Sequence, residues 1–78
     1  MPRKARQPAK HPALKRLGAR VRELRERRKL SQEALADVAD IARSYMSGIE
    51  RGVRNFSVLH LLKIAKALHR SATDLLER

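Results

Sequence analysis

From Leu14 to Leu76 the apolar residues recur three and four places apart, in runs broken by short polar turns. That spacing puts them on one face of a helix after another, and no segment reads as a strand. Leu14, Leu17, Val21 and Leu24 mark a first helix from about Ala13 to Arg28; its other faces are basic, with Glu23 and Glu26 interspersed. Ser31 offers a side-chain oxygen to a second helix start, and Glu33 suits the first turn. Leu35, Ala36 and Ala39 give that helix a narrow apolar face that a neighbour can approach closely. Asp40 and Ile41 interrupt the pattern, and aspartate tolerates left-handed backbone better than most residues other than glycine. A third helix follows from about Arg43 to Arg51 with Met46 and Ile49 inward, and Gly52 supplies the positive φ that stops it. Asn55 or Ser57 caps a fourth, with Val58, Leu61, Leu62, Ala65 and Leu68 on one stripe and Leu59 outside it. Ser71 caps a last short helix, Asp74 completing a near capping box, and Leu75 and Leu76 close the core. The expectation is an all-α chain of five helices with no internal repeat.

Size and charge narrow what such a chain does. Its 78 residues allow one domain. A domain near this size buries only about 60% of the surface its unfolded chain exposes. There is no cysteine to add a disulfide or thiolate metal site, so regular helices or dimerisation must supply the stability. Nineteen Lys and Arg against eight Asp and Glu give a net charge of +11, which favours a polyanionic partner. Nucleic acid is the first candidate and an anionic membrane surface the second; the bland alternative is a merely solvated surface. No apolar run approaches 18 residues, and the basic N-terminus lacks the apolar stretch of a secretory signal, so a cytoplasmic protein is expected. Residues Met1 to Pro12 hold all three prolines, four basic residues and no acid. They read as a disordered basic arm at residues 1–12, which either touches DNA or is only diffusely attracted to it; residues 13–78 read as the domain.

Two short helices joined by a tight turn, the second ending at a glycine, form a helix-turn-helix. The wording here is LSQEALADVADIARSYMSGIERG from Leu30 to Gly52, followed by VRNFSVLHLLKIAKAL. It resembles the Cro/repressor-type helix-turn-helix family, also called the XRE family, over about Leu17 to Leu76. The most specific pieces are Leu30-Ser31-Gln32-Glu33, Ile49-Glu50-Arg51-Gly52 and Arg54-Asn55. The stretch Arg43-Ser44-Tyr45-Met46-Ser47 is most similar to the controller proteins of restriction–modification systems.

That resemblance implies a compact five-helix lambda-repressor-like domain whose third helix, about 43–51, lies in the major groove of duplex DNA. It implies base-edge contacts from Arg43, Ser44 and Gly48, with Tyr45 beside them and Ser47 on the same helix. Arg43 has the fork that bridges two acceptors on guanine. A phosphate contact is the alternative for Arg43; packing or a phosphate bond is the alternative for Tyr45, and Ser47 has that of a simple polar helix residue. Gln32 matches a residue that contacts a phosphate and braces the recognition helix. Arg51, Arg54 and Asn55 match a segment that grips the DNA backbone. Arg25 is expected to pair with Glu50 in a partly buried salt bridge, the alternative being one more exposed base. Three departures stand out: Asp40 for the usual turn glycine, Ala42 for a Ser or Thr cap, and Phe56 where proline is common.

Enzyme chemistry finds no support, because there is no phosphate loop, metal-ligand spacing or nucleophile–base pairing. His60 and His69 are too far apart to chelate on one turn, His11 lies in the arm, and no cofactor, metal or small-molecule ligand is expected. One recognition helix reads few base pairs, so a homodimer on two half-sites is expected, with Leu59, Leu75 and Leu76 at its seam. The controller resemblance further implies autoregulation of an operon and activation of an endonuclease gene, with RNA polymerase a candidate partner. Two rival readings are an antitoxin, a protein-interaction module that also binds its promoter, and a nonspecific binder driven by charge.

Overall fold

The computed structural model describes residues 11–76, so residues 1–10 of the basic arm expected from the sequence lie outside it. Five helices account for the architecture, and no strand occurs among the described residues: α1 (Pro12–Arg27), α2 (Gln32–Ala39), α3 (Arg43–Arg51), α4 (Val58–Ala67) and α5 (Ala72–Leu76). The first helix begins one residue earlier than its apolar pattern indicates. His11 Nδ1 accepts from the Ala13 N–H at 3.0 Å, and Pro12 sits at the first helical position, where its missing N–H costs nothing. Pro12 therefore belongs to the domain and not to the arm.

Side-chain caps set the other starts. Ser31 Oγ accepts from the Ala34 N–H at 2.9 Å, and Ser57 Oγ accepts from the His60 N–H at 3.0 Å. Ser71 and Asp74 close a reciprocal box across the start of α5, each side chain accepting from the other's backbone N–H. Helix α3 alone of the first four has no side-chain cap, because Ala42 stands at the capping position.

The four longer helices all end in the same way. Lys29, Asp40, Gly52 and His69 take left-handed backbone, with φ of 59°, 59°, 78° and 57°. Each lets the following N–H reach back to a carbonyl of the last turn: Leu30 to Arg25, Ile41 to Ala36, Val53 to Gly48, and Arg70 to Ala65. Only one of the four is glycine, although a Cβ makes this conformation costly.

Buried side chains from every helix meet in one core. Val21 and Leu24 of α1, Leu35 of α2, Met46 and Ile49 of α3, Ile64 and Leu68 at α4, and Leu75 of α5 are each at most 2% exposed. Helix α3 packs against both α1 and α2, α4 packs on α2, and α5 bridges α4 back to α1. Arg20 secures that bridge by donating Nε to the Asp74 carbonyl at 3.1 Å. The core face of α4 differs from the stripe read in the sequence. Ile64, Ala65 and Leu68 are buried with Leu61 packed against them, whereas Val58 and Leu62 are exposed alongside Leu59. Helix α4 carries two adjoining apolar faces, and periodicity alone does not say which one turns inward.

Candidate nucleic-acid interface

Helix α3 is presented outward by a polar network beneath it. Arg25 of α1 donates Nε to Glu50 Oε2 at 2.7 Å and Nη2 to Glu50 Oε1 at 3.1 Å, a two-pronged pairing. Its Nη1 donates to the Leu30 carbonyl at 2.8 Å, and Gln32 Nε2 donates to Glu50 Oε1 at 3.1 Å. One carboxylate thus ties α1, the α1–α2 turn and α2 to the last turn of α3. The two charged side chains are only 12% and 4% exposed, so little water is at hand to replace either partner. The hydrogen bond to Glu50 raises the Arg25 pKa above its ordinary value, against an opposing effect of burial, so the guanidinium is a fixed cation.

Gly18 allows this closeness. A Cβ there would strike the backbone carbonyls of Ile49 and Glu50, so α1 meets α3 almost backbone to backbone. A glycine inside a helix costs about 1 kcal/mol relative to alanine, which is itself a sign that packing requires it. Gly18 and Arg20 were not among the residues singled out by the sequence pattern. For Gly18 the signal was available: it lies four residues after Leu14 and three before Val21, on the inward face.

On the outer side of α3, Arg43 and Ser44 are exposed and Ser47 is half-buried. Arg51, Arg54 and Asn55 are also exposed, at the end of α3 and in the loop that follows. Tyr45 joins helix and loop: its hydroxyl donates to the Asn55 carbonyl at 2.6 Å, and the Arg54 guanidinium lies 5.4 Å from its ring centroid. Gln32 is half-buried, with its amide committed to Glu50. Two expectations fail against this geometry. Gly48 is buried, with the aliphatic stem of Arg54 where its Cβ would point, so it does not face outward for base contact. Leu75 is 1% exposed and belongs to the core, which leaves Leu59 and Leu76, at 60% and 61%, as the exposed members of the expected seam.

No helix among the described residues is long and apolar enough to cross a membrane. Nor do three or more of their His, Asp and Glu side chains gather where a metal ion would be held.

The helix-turn-helix family HTH_3 matches residues 21–75, from the middle of α1 to α5. The chain belongs to this family, the XRE-type helix-turn-helix domain. Among its relatives, Control protein C.BamHI of Bacillus amyloliquefaciens is 46% identical over 61 residues, which is 77% of this chain and 75% of that protein. The crystal structure of the restriction–modification controller protein C.AhdI from Aeromonas hydrophila superposes with a TM-score of 0.78 at 47% identity, covering 80% of this chain and 94% of that one. The biofilm master regulator SinR, solved in complex with DNA, superposes with a TM-score of 0.75 at 35% identity, covering 78% of this chain and 98% of that one.

Proposed function

We propose that the protein is a sequence-specific duplex-DNA-binding transcription regulator of the restriction–modification controller type, acting as a homodimer rather than as an enzyme. The observation that carries this reading is the pairing of an outward polar face on α3 with a rigid mount beneath it. Arg43, Ser44 and Ser47 offer donors and acceptors on the exposed side, while Arg25, Glu50 and Gln32 fix the helix from the inner side. A helix so held enters a major groove with little left to order on binding. Arg51, Arg54 and Asn55 supply backbone contacts that set register, and the net charge of +11 supplies general affinity. The likeness to C.BamHI and C.AhdI supports the controller assignment, and the DNA-bound SinR supports duplex DNA as the partner.

In this reading Arg43 is the principal base reader, and Tyr45 positions the loop that carries Arg54 and Asn55. The homodimer uses exposed apolar side chains of α4 and α5, among them Leu59 and Leu76. Selection of binding sites from random duplexes tests the whole reading. The expected product is a pair of related half-sites with centres about 34 Å apart, one turn of duplex. Equal affinity for all sequences, with a steep salt dependence, would replace it with charge-driven nonspecific binding.

A further inference from the structure

The polar edge beside α3 extends past Arg54 onto α4. Tyr45 lies close to both Arg54 and His60: its ring centroid is 5.4 Å from the guanidinium carbon and 4.6 Å from the imidazole centroid, the two rings tilted at 44°. His60 is anchored from its own helix as well. Its backbone N–H donates to Ser57 Oγ at 3.0 Å, and its Nδ1 lies 2.9 Å from the same oxygen. Ser57 Oγ accepts the backbone N–H with one lone pair, and its own proton can go to Nδ1. In the tautomer in which Ser57 donates, the imidazole carries its proton on Nε2, the nitrogen not engaged by Ser57. The ring is held at Nδ1 by Ser57 and packs tilted against Tyr45, and in this tautomer an N–H donor lies at its other end.

A shallow crevice lined by Asp40, Ile41, Ala42, Tyr45 and His60 opens at the start of α3. Its one acid, Asp40, has Lys63 Nζ 3.8 Å from its carboxylate, which offsets the negative wall. We propose that His60 is a DNA-contacting residue, its Nε2–H donating to a backbone phosphate next to the one gripped by Arg54. The proposal rests on the duplex-DNA reading above. Phosphates follow one another closely along a strand, and neutral side-chain donors contact them as well as lysine and arginine do. Tyr45 sets the spacing between the two donors, since both lie against its ring.

The test is a methylphosphonate scan of the selected duplex, each backbone phosphate neutralised in turn, against the full chain and two variants. His60→Ala removes the donor. His60→Phe removes it while keeping an aromatic ring against Tyr45, and carries the comparison if alanine disturbs the fold. Both variants are expected to lose about tenfold in affinity, the usual size of a lost hydrogen bond to a charged group, with the preferred sequence unchanged. At one phosphate, neutralisation should cost the wild type about tenfold and the variants almost nothing. Identical scan profiles for wild type and variants would overturn the contact, as would a changed base preference. A wild type that binds no duplex would overturn the DNA reading and the His60 contact together.

Discussion

Helices α3 and α4 are neighbours in sequence and nearly equal in length, yet they are built on opposite plans. The outer side of α3 is polar, with exposed Arg43 and Ser44 and half-buried Ser47, and a partly buried ion pair and a glycine contact fix the helix from below. The outer side of α4 is apolar: Val58, Leu59 and Leu62 are 74%, 60% and 52% exposed, and its start is capped by Ser57. Clusters of exposed apolar residues mark protein contact surfaces, whereas polar donors on a rigid helix suit the edges of bases. The difference teaches a division of labour. In the proposed reading one helix is fixed for orientation and the other left open for association, and neither face would serve the other's partner.

The sharpest way to break that comparison is to remove the mount of α3. Arg25→Ala leaves Glu50 buried without its cation, and a loss of about 3–5 kcal/mol is expected in denaturant unfolding. Converting the pair together to apolar residues, Arg25→Met with Glu50→Leu, should cost much less, because no charge is left unpaired. A single variant that costs no more than the double would show the pair to be dispensable to the fold.

Next in size is the apolar face. Leu59→Asp should leave helix content intact but raise the dimer dissociation constant at least tenfold, about 1.4 kcal/mol, read by sedimentation at graded concentration. Unchanged self-association would remove Leu59 from the seam. Smallest is the missing cap of α3. Ala42→Ser supplies the oxygen that Ser31 and Ser57 already supply elsewhere, worth about 1 kcal/mol and about 4–8 °C in Tm. A melting temperature that does not rise would mean that the first turn of α3 is satisfied in another way.

Most of the architecture is legible in the sequence because it rests on local chemistry. Helical spacing, the caps at Ser31, Ser57 and Ser71, and the left-handed stops at Asp40 and Gly52 each depend on a few adjacent residues. What escaped depends on contacts between helices. Lys29 takes the same left-handed stop without being a residue that favours it, and His69 takes it as one of the types enriched there though no sequence pattern marks it. Leu75 and Leu76 are adjacent leucines, and only the position of α5 against α1 and α4 buries one and exposes the other. Gly48 follows the family wording but lies under Arg54, a residue six places later whose course is set by the α3–α4 loop. The pairing of Arg25 with Glu50 was expected from resemblance and not from spacing, since 25 residues separate the two.

The central claim is that α3 reads bases while the loop after it grips the backbone. It is tested most directly by comparing binding-site selections for the wild type, Arg43→Ala and Arg54→Ala. Arg43→Ala should relax preference at one base position per half-site, by about 1–3 kcal/mol, and leave other positions intact. Arg54→Ala should weaken all sequences alike and reduce the salt slope by about one. If Arg43→Ala instead weakens every sequence equally and leaves the preferred site unchanged, Arg43 is a phosphate contact and α3 is not read through it.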